Sequence, residues 1–189
     1  MVKHALHVAL FACTLSGAAQ DTTPFIGKGL LRGSGAISPG FLLDAPGTNI
    51  YLNGKLEYFT EDRISFRGEG FWYQGSQQDD PLLARNDQIT FGPFYHFVHG
   101  RLDASIGVEP GISIAQPGRP VLQETVDPLR VVPSASLCAC LTYTVWDYFH
   151  FFLDARYVHA SYPGSANGTM PLDEVIVSGG LGWQFRAKR

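Results

Sequence analysis

Three residues late in this 189-residue chain have the types from which an esterase is built: His159, Ser161 and Asp173. An imidazole can take the proton of a hydroxyl, a carboxylate can orient the imidazole, and the hydroxyl oxygen can then attack an acyl carbon. His159 and Ser161 are two residues apart, so on an extended strand they share one face. If the segment 162–172 is a loop, antiparallel pairing across it brings Asp173 beside Ser161. The same three residues also suit a strand end at headgroup depth that does no chemistry.

What must position them is a strand, and the chain reads as strands throughout. Arg101, Asp103, Ser105, Gly107 and Glu109 alternate with Leu102, Ala104, Ile106 and Val108, giving two chemically opposite faces. That period of two recurs over 24–38, 48–60, 63–74, 88–98, 101–114, 131–145, 149–161 and 173–185. Stretches of about ten alternating residues are what a membrane-crossing β-strand requires. Short turns at Glu61-Asp62, His99-Gly100 and Asp147 take turns with long connections over 39–47, 75–87, 116–130 and 162–172. The expected fold is all-β: an eight-stranded antiparallel up-and-down transmembrane β-barrel, with the long connections outside the cell.

Period alone does not say which face is inside. One parity carries Lys28, Arg32, Lys55, Arg63, Arg67, Arg101 and Arg156 with Glu57, Glu69, Asp103, Glu109 and Asp154. The same parity holds Tyr51, Phe59, Phe71, Phe94 and Phe152, a mixture suited to a packed lumen, where these charges would form an ion network that fills the barrel. Within it, His96 falls opposite Asp103 as an ion-pair member. Tyr58, Trp72, Tyr143, Trp146, Tyr148, Trp183 and Phe185 gather near strand ends, as interfacial girdles do. The rival arrangement is a soluble lipocalin-like carrier, with Leu102, Ile106 and Leu153 lining an apolar pocket.

The net charge of −3 and a charged fraction of 16% leave no basic stripe for nucleic acid. Hydrophobic residues make up 45% of the chain without an apolar run of membrane-helix length, so any crossing falls to strands. Lys3, the apolar run 5–15 and the small Gly17, Ala18 and Ala19 read as a secretory leader cleaved after Ala19. This divides the chain into a leader, 1–19, and one barrel domain, 20–189. A lipoprotein site at Cys13 is the alternative. Cys138 and Cys140 share one strand face in a geometry poor for a disulfide, so free thiols are expected, with no metal and no cofactor. Asn167-Gly168-Thr169 matches a glycosylation sequon and reads equally as a turn, so no function follows from it.

The terminal segment Leu181-Gly182-Trp183-Gln184-Phe185 alternates and ends in an aromatic, with Arg186 to Arg189 following. Together with the strand pattern it resembles the small outer-membrane β-barrel proteins of Gram-negative bacteria, the OmpX, OmpA-barrel and OmpW-like groups. That resemblance implies an outer-membrane location after leader cleavage and contact with outer-membrane lipid and lipopolysaccharide. It also implies insertion by the barrel-assembly machinery, which would read Leu181, Trp183 and Phe185, and extracellular loops that meet a surface partner. A second, local resemblance joins the segment Arg156 to Ser161 to the His-x-Ser element of the lipid A 3-O-deacylases. It implies Ser161 as nucleophile, His159 as general base and Asp173 as orienting acid, with Tyr162 and Asp173 where those enzymes carry Asn and Glu. The sequence thus leaves open a non-enzymatic envelope protein, an outer-leaflet acyl ester hydrolase and a soluble carrier.

Overall fold

The structure is a computed structural model that describes residues 26–78, 81–118, 127–165 and 168–186. The expected leader, Cys13, Asn167 and the end of the tail lie outside the described residues. Nine strands follow in order: β1 (Leu30–Leu42), β2 (Thr48–Glu61), β3 (Ile64–Ser76), β4 (Leu83–His99), β5 (Leu102–Pro117), β6 (Arg130–Trp146), β7 (Phe149–Ser165), β8 (Gly168–Pro171) and β9 (Glu174–Arg186). Each long strand pairs antiparallel with its neighbours in sequence, and β9 returns to pair with β1. The short β8 pairs only with the end of β7, so the closed wall has eight staves. Closure leaves no long sheet edge unpaired.

Alternation in the sequence becomes alternation in burial. Along β6 exposed and buried residues succeed one another from Val132 to Thr144. The exposed set is apolar, including Ile37, Leu56, Phe66, Phe91, Val108 and Leu137. Leu102, Ile106 and Leu153 belong to it at 38%, 46% and 58% exposure, so the lipocalin-like arrangement is overturned. The inward parity holds too many charges to leave any apolar pocket there.

The inside is layered. Ile26, Leu30 and Phe59 cluster at the short-turn end, with Val98 against them. Leu83, Ala115, Val132, Ala160, Tyr162 and Leu172 cluster at the other end. This second cluster explains where the strands exceed expectation. Leu83 heads β4 and Tyr162 lies within β7 because their side chains pack inward, so pairing continues through residues that read from composition as loop. The first strand is also displaced, starting at Leu30 rather than near residue 24.

Candidate functional site

The hairpin arm formed by β8 and β9 carries Asp173 to His159. The β7–β9 ladder ends at Val158↔Glu174, and Ser161 pairs with Pro171 of β8. Between them the Leu172 N–H donates to the Ala160 carbonyl at 2.9 Å, which keeps the arm in register. Asp173 therefore faces His159, not Ser161 as sequence reasoning expected. Its carboxylate lies 2.8 and 3.0 Å from His159 Nδ1, accepts from Tyr157 Oη at 2.9 Å, and accepts from the Ala160 N–H at 3.3 Å. Burial works to raise the Asp173 carboxyl, but these hydrogen bonds outweigh it and hold it below the usual carboxylate range. The His159 side chain is 64% exposed and Asp173 18%.

With Nδ1 engaged by the acid, Nε2 is the ring nitrogen left for a hydroxyl, the arrangement a general base needs. Ser161 is exposed on the same face, two residues or roughly 7 Å along β7. Among the described residues no hydrogen bond joins it to His159. An acid–base pair is thus assembled, and the candidate nucleophile stands beside it without contact.

The charged residues of the other candidate site meet inside the barrel. Arg32 pairs with Asp103 at 2.5 Å and lies 3.8 Å from Glu57. Arg67 pairs with Glu57 at 3.1 Å, and Arg156 is bound by both Glu69 and Glu109. Lys55 pairs with Asp154 across the lumen. His96 bridges Asp103 at 3.0 Å and Ser65 at 2.8 Å. Each cation also lies over a ring: Arg67 over Phe94 and Lys55 over Phe152 at 3.7 Å, Arg156 over Phe71 at 4.9 Å, Arg32 over Phe59 at 5.0 Å. The inward aromatics thus partner the charges by their π faces. A cavity of about 10 Å³ beside Arg32, Lys55 and Arg67 has room for roughly one water.

Three expected members of that network lie elsewhere. Arg101 is exposed, and its Nη1 donates to the Val145 carbonyl at 3.1 Å. Gly100 turns the chain at φ +60°, and β5 begins only at Leu102, so Arg101 belongs to the turn rather than the inward row. Lys28 pairs with exposed Glu61 at 3.0 Å, and Arg63 is exposed in the β2–β3 turn. Conversely, sequence reasoning missed Glu174. It is fully buried and accepts from Tyr51 Oη at 2.8 Å, Asn86 Nδ2 at 3.2 Å, Asn49 Nδ2 at 3.3 Å and Gln88 Nε2. All five share the inward parity, which was the available signal. Cys138 and Cys140 are buried free thiols. Leu181, Trp183 and Phe185 stand on the outward row of β9, about half exposed.

Solved structures with the same architecture are small outer-membrane barrels. OprG of Pseudomonas aeruginosa is 13% identical, with a TM-score of 0.63 over 87% of this chain and 100% of that one. Neisserial surface protein A is 11% identical, with a TM-score of 0.58 over 85% and 99%. The N-terminal barrel domain of Pseudomonas aeruginosa OprF is 13% identical, with a TM-score of 0.57 over 84% and 99%. The chain has the fold of a small outer-membrane β-barrel. No protein-family model matches the sequence, and no curated protein does. At these identities the likeness speaks for the fold and leaves the chemistry to the residues themselves.

Proposed function

We propose that this chain crosses the outer membrane of a Gram-negative bacterium as a closed, non-conducting barrel. It serves as a non-enzymatic envelope protein that presents its long connections, and the partner they meet, at the cell surface. The observation that carries this reading is the outward face. Along β1, β2, β3, β5, β6 and β9, the outward positions between the rims hold no Asp, Glu, Lys or Arg; on β4 and β7, ionisable side chains begin only at Asp87 and His159. A continuous apolar surface of that extent is far beyond what a soluble monomer exposes, and it matches the band that lipid covers. Ions are barred by the paired charges and by apolar clusters at both ends of the lumen. The test is a gel comparing boiled and unboiled detergent extracts of the envelope fraction, followed by conductance in planar bilayers. A heat-shifted band without conductance supports the reading; a periplasmic monomer that needs no detergent overturns it, and so do stable channel currents.

The His159–Asp173 pair favours a second reading, an outer-leaflet acyl ester hydrolase. Ser161 would attack the ester carbon after losing its proton to His159, the proton would pass to the departing alcohol, and a water deprotonated by His159 would then release the acyl group from Ser161 as the free acid. Mass spectrometry of lipid A from cells expressing the chain or Ser161→Ala decides it. Loss of a 3-linked acyl chain in the former alone supports the hydrolase, and identical spectra remove it.

A further inference from the structure

On the outward wall over β3 to β6 lies a groove of about 410 Å³, lined by Ile64, Pro93, Tyr95, Ile106, Val108 and Leu137. It forms where the wall is locally unpaired. Pairing of β4 with β5 stops at Thr90↔Gly111 and resumes at Phe94↔Gly107. Pro93 and Pro110 enter that interval from opposite strands, and neither has an N–H to give to a ladder. Proline is ordinarily confined to sheet edges and bulges, so two of them facing one interior seam mark it as a place where pairing is given up. The floor of the groove is Gly107 with the Phe94 ring packed against it, so close that a Cβ at Gly107 would stand 2.6 Å from the ring.

We propose that this groove holds one anionic lipid, its acyl chain along the groove and its headgroup at Arg63. The inference rests on the membrane-crossing reading and adds a specific ligand to it. The volume falls within the ~300–1,000 Å³ typical of ligand sites, and the lining carries no charge. The groove is continuous with the uncharged belt, so an acyl chain enters it without leaving hydrocarbon. Its mouth is at the short-turn rim, where Ile64 follows exposed Arg63. The Arg63 carbonyl accepts from the His96 N–H at 2.9 Å, which ties that turn to β4 beside the groove. Arg101, in the β4–β5 turn of this rim, is committed to the Val145 carbonyl. In the same turn Glu61 pairs with Lys28 and Asp62 accepts from the Lys28 N–H, so charge complementarity at Arg63 selects an anionic headgroup over a zwitterionic one.

Native mass spectrometry of the full chain, released from vesicles of equal phosphatidylglycerol and phosphatidylcholine, tests this. One phosphatidylglycerol is expected to stay bound to the wild type. Val108→Trp, which fills the groove, is expected to reduce the adduct at least about tenfold, while Val177→Trp on the opposite wall retains it. Arg63→Gln is expected to abolish the preference for phosphatidylglycerol while total lipid bound changes little. The proposal is overturned if the folded wild type retains no lipid, if the two tryptophan variants retain equal amounts, or if Arg63→Gln keeps the preference. The heat-shift gel run on the same sample separates the two levels. A folded, heat-shifted protein without the adduct sinks only the lipid site, whereas absence of the shifted band sinks the membrane reading beneath it.

Discussion

Trp183 of the last strand lies over Gly33 of the first, with its Cε2 2.9 Å from the place a Cβ at Gly33 would occupy. The ring thereby covers the backbone at the seam that closes the barrel. Trp72 does the same within the β2–β3 hairpin, 3.0 Å from the Cβ position of Gly70 and 3.6 Å from that of Gly54. Outward aromatics near the strand ends are thus packing elements of the wall as well as candidates for a headgroup girdle. Gly33→Val has to displace the ring, and an overpacked site of this kind costs about 1–3 kcal/mol. Gly179→Ala, whose nearest neighbours stand 3.5 Å away, should stay within about 0.5 kcal/mol. Urea unfolding of the reconstituted barrel, followed by the heat-shifted band, should rank the two in that order.

Arg156 is the most connected cation of the interior, bound by Glu69 and Glu109, bonded to Thr90 at 2.9 Å and Ser136 at 3.1 Å, and set over Phe71. Removing it leaves two carboxylates facing each other with Arg67, 3.9 Å from Glu69, as the cation still paired there. Arg156→Met should cost about 3–5 kcal/mol, the usual consequence of breaking a buried pair from one side. Adding Glu69→Gln and Glu109→Gln to that variant should recover much of the loss, because the stranded charge goes with them. Strictly additive losses in the triple variant would mean that the three side chains do not act as a unit.

Asp173 gives a pH dependence whose sign follows from its depressed pKa. The folded state holds its proton less tightly than the unfolded chain, so its contribution is fully present above the unfolded value of about 3.8 and is lost as pH falls through the lower folded value. The difference in thermal midpoint between wild type and Asp173→Asn should be level down to about that pH and shrink below it. A difference that already narrows near neutral pH would show that Asp173 is not the group being titrated.

The barrel was legible in the sequence because a period of two survives wherever one face meets hydrocarbon and the other meets charge. The faces could be told apart for the same reason, since Phe94 and Phe152 point inward with Arg67 and Lys55 and partner those cations. The strand ends were less legible. Near Leu83 and Tyr162 the inward residues become apolar as well, so the contrast between faces that reveals a strand fades there. Turn residues were harder still, and Arg101 keeps the inward parity although Gly100 has already taken it out of the wall. At the outward site the residue types were readable, but the partner was not. Whether Asp173 meets His159 or Ser161 depends on the two-residue step between β8 and β9, which periodicity does not encode.

The closing seam should also be a weak one. The β1–β9 ladder stops at Ser34↔Gly182 and resumes at Gly40↔Ile176, leaving 35–39 opposite 177–181 without ladder pairs. The unpaired part of the β4–β5 seam lies on the far side of the barrel, so the two divide the wall into β1–β4 and β5–β9. Across the division run ion pairs, Arg32 of β1 with Asp103 of β5, Glu69 of β3 with Arg156 of β7 and Lys55 of β2 with Asp154 of β7, together with the Ser38–Ser178 hydroxyl bond at 2.7 Å and the bonds from Tyr51 and Asn86 to Glu174. Interior side chains, the ion pairs chief among them, therefore hold the halves together where backbone hydrogen bonds are missing. Hydrogen exchange in bilayers should then find the amides of Ile37 and Gly179 less protected than those of Leu56 and Gly68, which are paired across the intact β2–β3 seam. Arg32→Met should widen that gap, speeding exchange at Ile37 and Gly179 while leaving the β2–β3 pair nearly unchanged. Equal protection at all four sites, or uniform acceleration in the variant, would show that the wall responds as one continuous sheet and that the ion pairs fill space without stapling it.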